Sequence, residues 1–160
     1  MEAACKVLCA LSALHCEATN KVGRLGAVVA TVMVVDDNPT MVEMLSMALN
    51  IFGHNALAAY SGEEALERIL ENVPDLMLLD LTMPGIDGYE TLRRLRACPE
   101  TKTLPVYVIT AAAEFDLEER VHLAGGTGLL RKPVQMETLA DLVESHSRAD
   151  LFELTQRPAA

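Results

Sequence analysis

Two adjacent aspartates (Asp36 and Asp37), a third at Asp80, a hydroxyl at Thr110 and an ammonium at Lys132 are the residues best suited to chemistry in this chain. Each closes or follows a short apolar run. Val32-Met33-Val34-Val35 precedes the aspartate pair, Leu76-Met77-Leu78-Leu79 precedes Asp80, Val106-Tyr107-Val108-Ile109 precedes Thr110, and Leu129-Leu130 leads to Lys132-Pro133. If these runs are parallel strands joined by helical crossovers, their carboxyl ends line one edge and the five residues meet in one crevice. Three carboxylates brought together repel unless a cation sits among them. Oxygen-only ligands suit a hard divalent ion, and Mg2+ in particular keeps waters and shares its sites with phosphate. An aspartate held at the end of an apolar strand can act as a nucleophile toward phosphorus, forming an aspartyl phosphate. A hydroxyl and an ammonium nearby would stabilise the charge on the transferring oxygens. The backbone carbonyl of Thr82, two residues past Asp80, is a further candidate metal ligand.

Singly, each residue has a plainer reading. Asp36-Asp37-Asn38-Pro39 also describes a helix-capping turn, and Asp80 could cap the turn that follows it. A threonine at a strand end is uninformative, and Lys-Pro is a common loop dipeptide. Order and spacing carry the weight, with 30 residues from Asp80 to Thr110 and 22 more to Lys132.

The elements that must position these residues follow from local signals. A strand ends at Val35, and Asn38 with Pro39 predicts an N-cap and first helical position for a helix reaching about Phe52, with Gly53 beyond it. Met41, Met44, Leu45 and Leu49 fall at helical spacing, and a Met41, Met44, Met47 stripe is expected in the core rather than at a cofactor. A short strand near 56–59 follows, and Ser61-Gly62-Glu63-Glu64 predicts a capping box opening a helix that carries Ala65, Leu66, Ile69 and Leu70. Pro74 begins the strand to Asp80, Met83-Pro84-Gly85 is a turn, and a helix runs from about 88 to 97. Within it Leu92 and Leu95 face inward, and Arg93, Arg94 and Arg96 are expected on a solvated face. Pro105 opens the next strand, 114–124 is helical, and Gly125-Gly126-Thr127-Gly128 leads into a very short fifth strand. A last helix is expected over about 135–147. Strands alternating with helices through short loops give an open α/β sheet covered on both faces.

The 160 residues are enough for one domain with short extensions, and half of them are apolar with only six aromatics. The expected division is an N-terminal extension or linker over 1–30 (helical or disordered), a domain over 31–148 and a tail over 149–160. The formal charge is −10, and residues 31–160 hold 10 basic against 21 acidic side chains. That balance argues against nucleic acid, which is bound through clustered Lys and Arg, and favours basic or mixed protein partners. No apolar stretch reaches the length of a membrane span, and residues 1–17 make a poor signal peptide. Four cysteines, three near one end, are no disulfide framework, so a reducing cytoplasm is the default. Cys5, Cys9, His15 and Cys16 lack the spacing of a zinc finger. The glycine-rich loop lacks the lysine and following helix of a phosphate-binding P-loop.

Over about residues 31–148 the chain resembles the receiver domain of two-component response regulators. The motifs are VVDDNPTM, LLDLTMPGIDGYE, LPVYVITA and the Lys-Pro after a glycine-rich loop. The resemblance is to the single-domain chemotaxis and relay members. It implies a flavodoxin-like (βα)5 doubly wound parallel sheet of order 2-1-3-4-5. It implies that Asp80 accepts phosphate from a histidine kinase or phosphotransfer protein. Asp36 and Asp37 would position Mg2+, with Mn2+ as a substitute, and Lys132 would pair with the phosphoryl group through a cis Lys132-Pro133 bond. Thr110 would move toward the phosphoryl group and report its presence. The family usually has Tyr or Phe three residues before the lysine, where this chain has Leu129, and strand alternation puts Tyr107 on the opposite face from Thr110. The resemblance also implies that Thr82 and Ala112 occupy positions that in this family flank the route of the hydrolytic water.

The expectation is a stand-alone receiver, not an enzyme beyond its own phosphorylation and dephosphorylation. It would signal through altered protein binding at the fourth helix, fifth strand and last helix, a face that could also support a homodimer. Three other readings stay open. A relay intermediate would pass phosphate to a histidine phosphotransfer protein. An aspartate-based phosphohydrolase would need a second carboxylate two residues beyond Asp80, where Thr82 stands. A phosphate-independent binding module of the same fold is the third.

Overall fold

The computed structural model describes residues 22–23 and 27–155, with side-chain surroundings described over 29–147. The readings of residues 1–21, including Cys5, Cys9, His15 and Cys16, and of 156–160 lie outside the described residues. Five strands form one parallel sheet: β1 Thr31–Val35, β2 Asn55–Ala59, β3 Leu76–Asp80, β4 Val106–Thr110 and β5 Gly128–Arg131. Their order is β2-β1-β3-β4-β5, the doubly wound arrangement with its reversal between β1 and β3. Five helices connect and follow them: α1 Pro39–Ile51, α2 Gly62–Glu71, α3 Gly88–Ala97, α4 Leu117–Leu123 and α5 Met136–Thr155. Ahead of the sheet, Val22–Gly23 pairs antiparallel with Ala27–Val28.

Both faces of the sheet are covered, which is why its strands are continuous apolar runs rather than alternating ones. Every residue of β1 and β3 is buried. On one face, Met33, Met77, Leu79, Val106 and Val108 pack with Ala65 and Ile69 of α2, Leu92 and Leu95 of α3, and Leu117 and Val121 of α4. On the other, Val32, Val34, Leu76, Leu78 and Ile109 meet Val42, Leu45 and Leu49 of α1 and Leu139 and Val143 of α5.

The capping residues act largely as the sequence predicts. The Asn38 side chain accepts from Thr40 N at 3.1 Å, with Pro39 at the first helical position. Helix α1 ends in a Schellman motif, His54 N donating to Leu49 O and Gly53 N to Asn50 O. Ser61 Oγ accepts from Glu64 N, but the Glu64 carboxylate accepts from Tyr60 N, one residue earlier than a capping box requires.

Four expectations fail. Met44 and Met47 are 43% and 66% exposed, and Val42, Leu45 and Leu49 form the core stripe instead. Apolar residues surround α1, so spacing alone could not choose the inward face. Helix α4 begins at Leu117 rather than near 114; Glu114 lies ahead of it in the loop and pairs with Arg120 of its second turn. Arg96 is not on a solvated face: its guanidinium donates to the carbonyls of Gly125, Thr101 and Leu104 at 2.8, 3.0 and 2.9 Å. Arg93 and Arg94 are solvated as expected and pair with Glu90. The last helix also runs further than expected, through Thr155.

Candidate functional site

Strand parity sets the site. Asp36, Asp80 and Lys132 continue the alternation of Val34, Leu78 and Leu130, so all three emerge on the α1–α5 side of the carboxyl edge. They do so at the reversal of strand order, where such sheets open a crevice. Lys132 Nζ donates to Asp36 Oδ2 at 2.6 Å and to Asp80 Oδ1 at 2.7 Å. The remaining carboxylate oxygens are also satisfied: Asp36 Oδ1 accepts from Asn38 N at 2.9 Å, and Asp80 Oδ2 from Thr82 N at 2.7 Å. Asp36 and Asp80 are 3% and 5% exposed. Partial burial is the largest single influence on Lys132 and favours its neutral amine, but the hydrogen bonds and charges of Asp36 and Asp80 outweigh it. The ammonium is held above its ordinary range. The Lys132-Pro133 bond is cis, as the resemblance implied.

The loop after Asp80 is fixed from two directions. Gly88 brings the first turn of α3 against the strand end: a Cβ there would lie 2.5 Å from Asp80 O, and Gly88 N donates to Leu81 O. A side chain there would force the strand end or the start of α3 to shift. Gly85 takes φ +80 beside the Glu63 carboxylate, which accepts from Ile86 N at 3.0 Å and so ties α2 to this loop. Those loop contacts, led by Glu63's own backbone N–H and that of Ile86, hold the Glu63 carboxyl below the usual range. No sequence signal marked Glu63 for this role.

The other predicted residues are placed differently. Asp37 is exposed in the loop beside Asp36, and Thr82 is exposed beside Asp80. Thr110 is buried and, by parity with Val106 and Val108, belongs to the α2–α4 side; its Oγ1 accepts from Ala112 N at 3.1 Å. Its carbonyl accepts from Lys132 N, which ties the ends of β4 and β5. Leu129 packs into the α2–α4 core, and Tyr107 packs on the opposite face, edge-on to His146 with ring centroids 5.4 Å apart. Among the described residues no three His, Cys, Asp or Glu side chains are grouped closely enough to cage a metal. The donors on hand are all oxygens: Asp36, Asp80, the neighbouring Asp37 and the loop carbonyl at Thr82. An incomplete oxygen set fits Mg2+, which retains several of its own waters. The single Lys132 ammonium offsets only part of the charge of the Asp36–Asp80 pair.

Fold and site together define a doubly wound α/β protein with a carboxylate–ammonium cluster at its strand-order reversal. Residues 32–144 match the family model of the response regulator receiver domain, and the chain belongs to that family. It is 31% identical over 116 residues to Protein PilH of Pseudomonas aeruginosa, covering 72% of this chain and 96% of that one. The polar-differentiation response regulator DivK of Brucella ovis is 29% identical, with 72% and 94% covered. Transcriptional regulatory protein ZraR of Salmonella typhimurium is 32% identical over 132 residues, 81% of this chain but only 30% of ZraR. The chemotaxis protein CheY4 of Vibrio cholerae superposes with a TM-score of 0.70 at 28% identity, over 74% of this chain and 98% of that one. The order β2-β1-β3-β4-β5 is thus the receiver order. Receiver domains are generally Mg2+-dependent and act with histidine kinases or phosphotransfer proteins in two-component signal transduction. Among the described residues no helix is long and apolar enough to cross a membrane.

Proposed function

We propose that this chain takes a phosphoryl group onto Asp80 from the phosphohistidine of a sensor histidine kinase or phosphotransfer protein, and signals by changing which protein it binds. The observation that carries this reading is the Lys132 ammonium, within 2.7 Å of carboxylates from two other strand ends. An Asp80 oxygen forms a bond to phosphorus while the P–N bond of the donor breaks, the electron pair leaving on the imidazole nitrogen. Lys132 moves no proton in this step; it holds positive charge where negative charge collects. Asp36, Asp37, Asp80 and the Thr82 carbonyl would hold Mg2+ or Mn2+, which when bound neutralises phosphoryl oxygens. Thr110 would turn its hydroxyl toward those oxygens. Catalysis is confined to the chain's own phosphorylation and dephosphorylation, in the cytoplasm.

The output surface in this reading is the face of α4, β5 and α5, which would also serve a homodimer. Leu123 at the end of α4 is 80% exposed, and Phe115 in the loop that enters α4 is fully exposed, which leaves apolar surface beside this face. The acidic balance argues against nucleic acid as the partner. The test is intact mass after incubation with acetyl phosphate and Mg2+. The wild type should gain one phosphoryl group only when Mg2+ is present, and Asp80→Asn should gain none. A wild type that stays unmodified sinks the reading.

A further inference from the structure

Leu129 leaves the usual aromatic position on β5 without a group that can hydrogen-bond. Side chains alternate along a strand, so Arg131 shares the face of Leu129 and lies nearer the carboxyl edge. Arg131 is the register partner of Thr110 across β4 and β5. Its Nη1 donates to Ala112 O at 2.9 Å, while Thr110 Oγ1 accepts from Ala112 N at 3.1 Å. Ala112 is therefore held at both ends, its N–H by Thr110 and its carbonyl by Arg131. Beyond it the loop carries exposed Phe115 and Glu114, which pairs with Arg120 of α4; Arg120 in turn lies over the Tyr89 ring at 5.2 Å. Tyr89 packs against the core cluster that also receives Ala112 and Leu129, and its hydroxyl is buried without a partner. That unpaired hydroxyl is a buried polar group next to the Ala112 and Leu129 contacts.

We propose that Arg131 is the positioning residue that converts the orientation of the Thr110 hydroxyl into the placement of the loop at 111–116 and of α4. The proposal rests on phosphorylation of Asp80 and goes beyond it by naming the output linkage. When Thr110 turns toward a phosphoryl group, the Ala112 N–H loses its acceptor and the carbonyl stays clamped by Arg131. Ala112 then pivots about its carbonyl, and the displacement passes to Glu114 and Phe115 rather than dissipating in a free loop. An aromatic at position 129 is not required for this linkage, because the guanidinium already spans the gap from β5 to the loop.

The test compares amide NMR spectra of the wild type, Arg131→Ala and Arg131→Lys, each with and without acetyl phosphate and Mg2+, with the adduct counted by intact mass. Arg131 is exposed and contributes no core packing, so the variants should fold and carry the same adduct. The wild type should show phosphate-dependent shifts at 111–123. Arg131→Ala should lose them while keeping the shifts around Asp80, and Arg131→Lys, which retains a donor, should recover them. Full adduct with unchanged 111–123 shifts in Arg131→Ala overturns the role of Arg131 and leaves Asp80 phosphorylation standing. Absence of any adduct in the wild type overturns phosphorylation and this linkage with it.

Discussion

The two ends of the crevice are held by different kinds of bond. At β1 and β3, charge meets charge: one ammonium satisfies two buried carboxylates from residues 96 and 52 positions away. At β4 and β5, a guanidinium meets backbone: Arg131, at the end of β5, holds Ala112 O in the loop that leaves β4. The first arrangement fixes side chains, so that attacking and stabilising groups keep their geometry. The second fixes loops, and a bond to a loop carbonyl can be kept while the loop itself turns. Under the proposed function, the rigid end would serve the chemistry and the hinged end the output.

The comparison breaks most readily at Lys132. Lys132→Met should leave two buried carboxylates facing each other and cost about 3 kcal/mol, less than a fully enclosed pair because Lys132 keeps some solvent contact. Urea unfolding should show this loss, and Mg2+ should restore more stability to the variant than to the wild type. At the strand end, Gly88→Ala should cost about 2 kcal/mol, since its methyl would meet the Asp80 carbonyl oxygen. It should also slow adduct formation from acetyl phosphate; an unchanged rate would mean that the loop does not position Asp80.

At the amino edge of the sheet, away from the crevice, Arg96→Met removes the donor shared by three carbonyls and should cost about 2 kcal/mol in urea unfolding. Adduct formation should be unaffected, which separates loop anchoring from chemistry. The smallest effect belongs to His54, whose Nδ1 accepts from Ala30 N at 3.3 Å. Burial, opposed in part by Glu144, lowers its pKa below 6.5. The unfolded chain therefore binds the proton first. The His54 contribution is complete above pH 6.5 and is lost as pH falls toward the depressed folded value. His54→Asn should flatten that part of the stability curve.

Much of this arrangement is legible in the chain because local and global demands coincide. Apolar runs closed by Asp, Thr or Lys are buried strands with reactive residues at their ends. Asn38-Pro39, Ser61 and Gly53 mark helix boundaries whose hydrogen bonds are nearly independent of the rest of the fold. Where a position depends on which neighbour arrives, the sequence misleads. Met44 and Met47 match a core residue in type, yet the sheet meets α1 along Val42, Leu45 and Leu49. Arg96 is indistinguishable from Arg93 and Arg94 until the carbonyls of two later loops reach it. Glu63 has no motif because its partner is a backbone amide 23 residues on.

By itself, the sequence determined the number of elements and their order along the chain, the parallel sheet, and the strand-end candidates Asp36, Asp37, Asp80, Thr110 and Lys132. Covalent spacing and apolar periodicity suffice for those. Tertiary structure alone decided that Lys132 bridges the two carboxylates, that Thr110 bonds to Ala112 in this state, and that Arg131 takes the facing carbonyl. Such contacts depend on strand register and side-chain reach across gaps of many residues, and no local pattern encodes either.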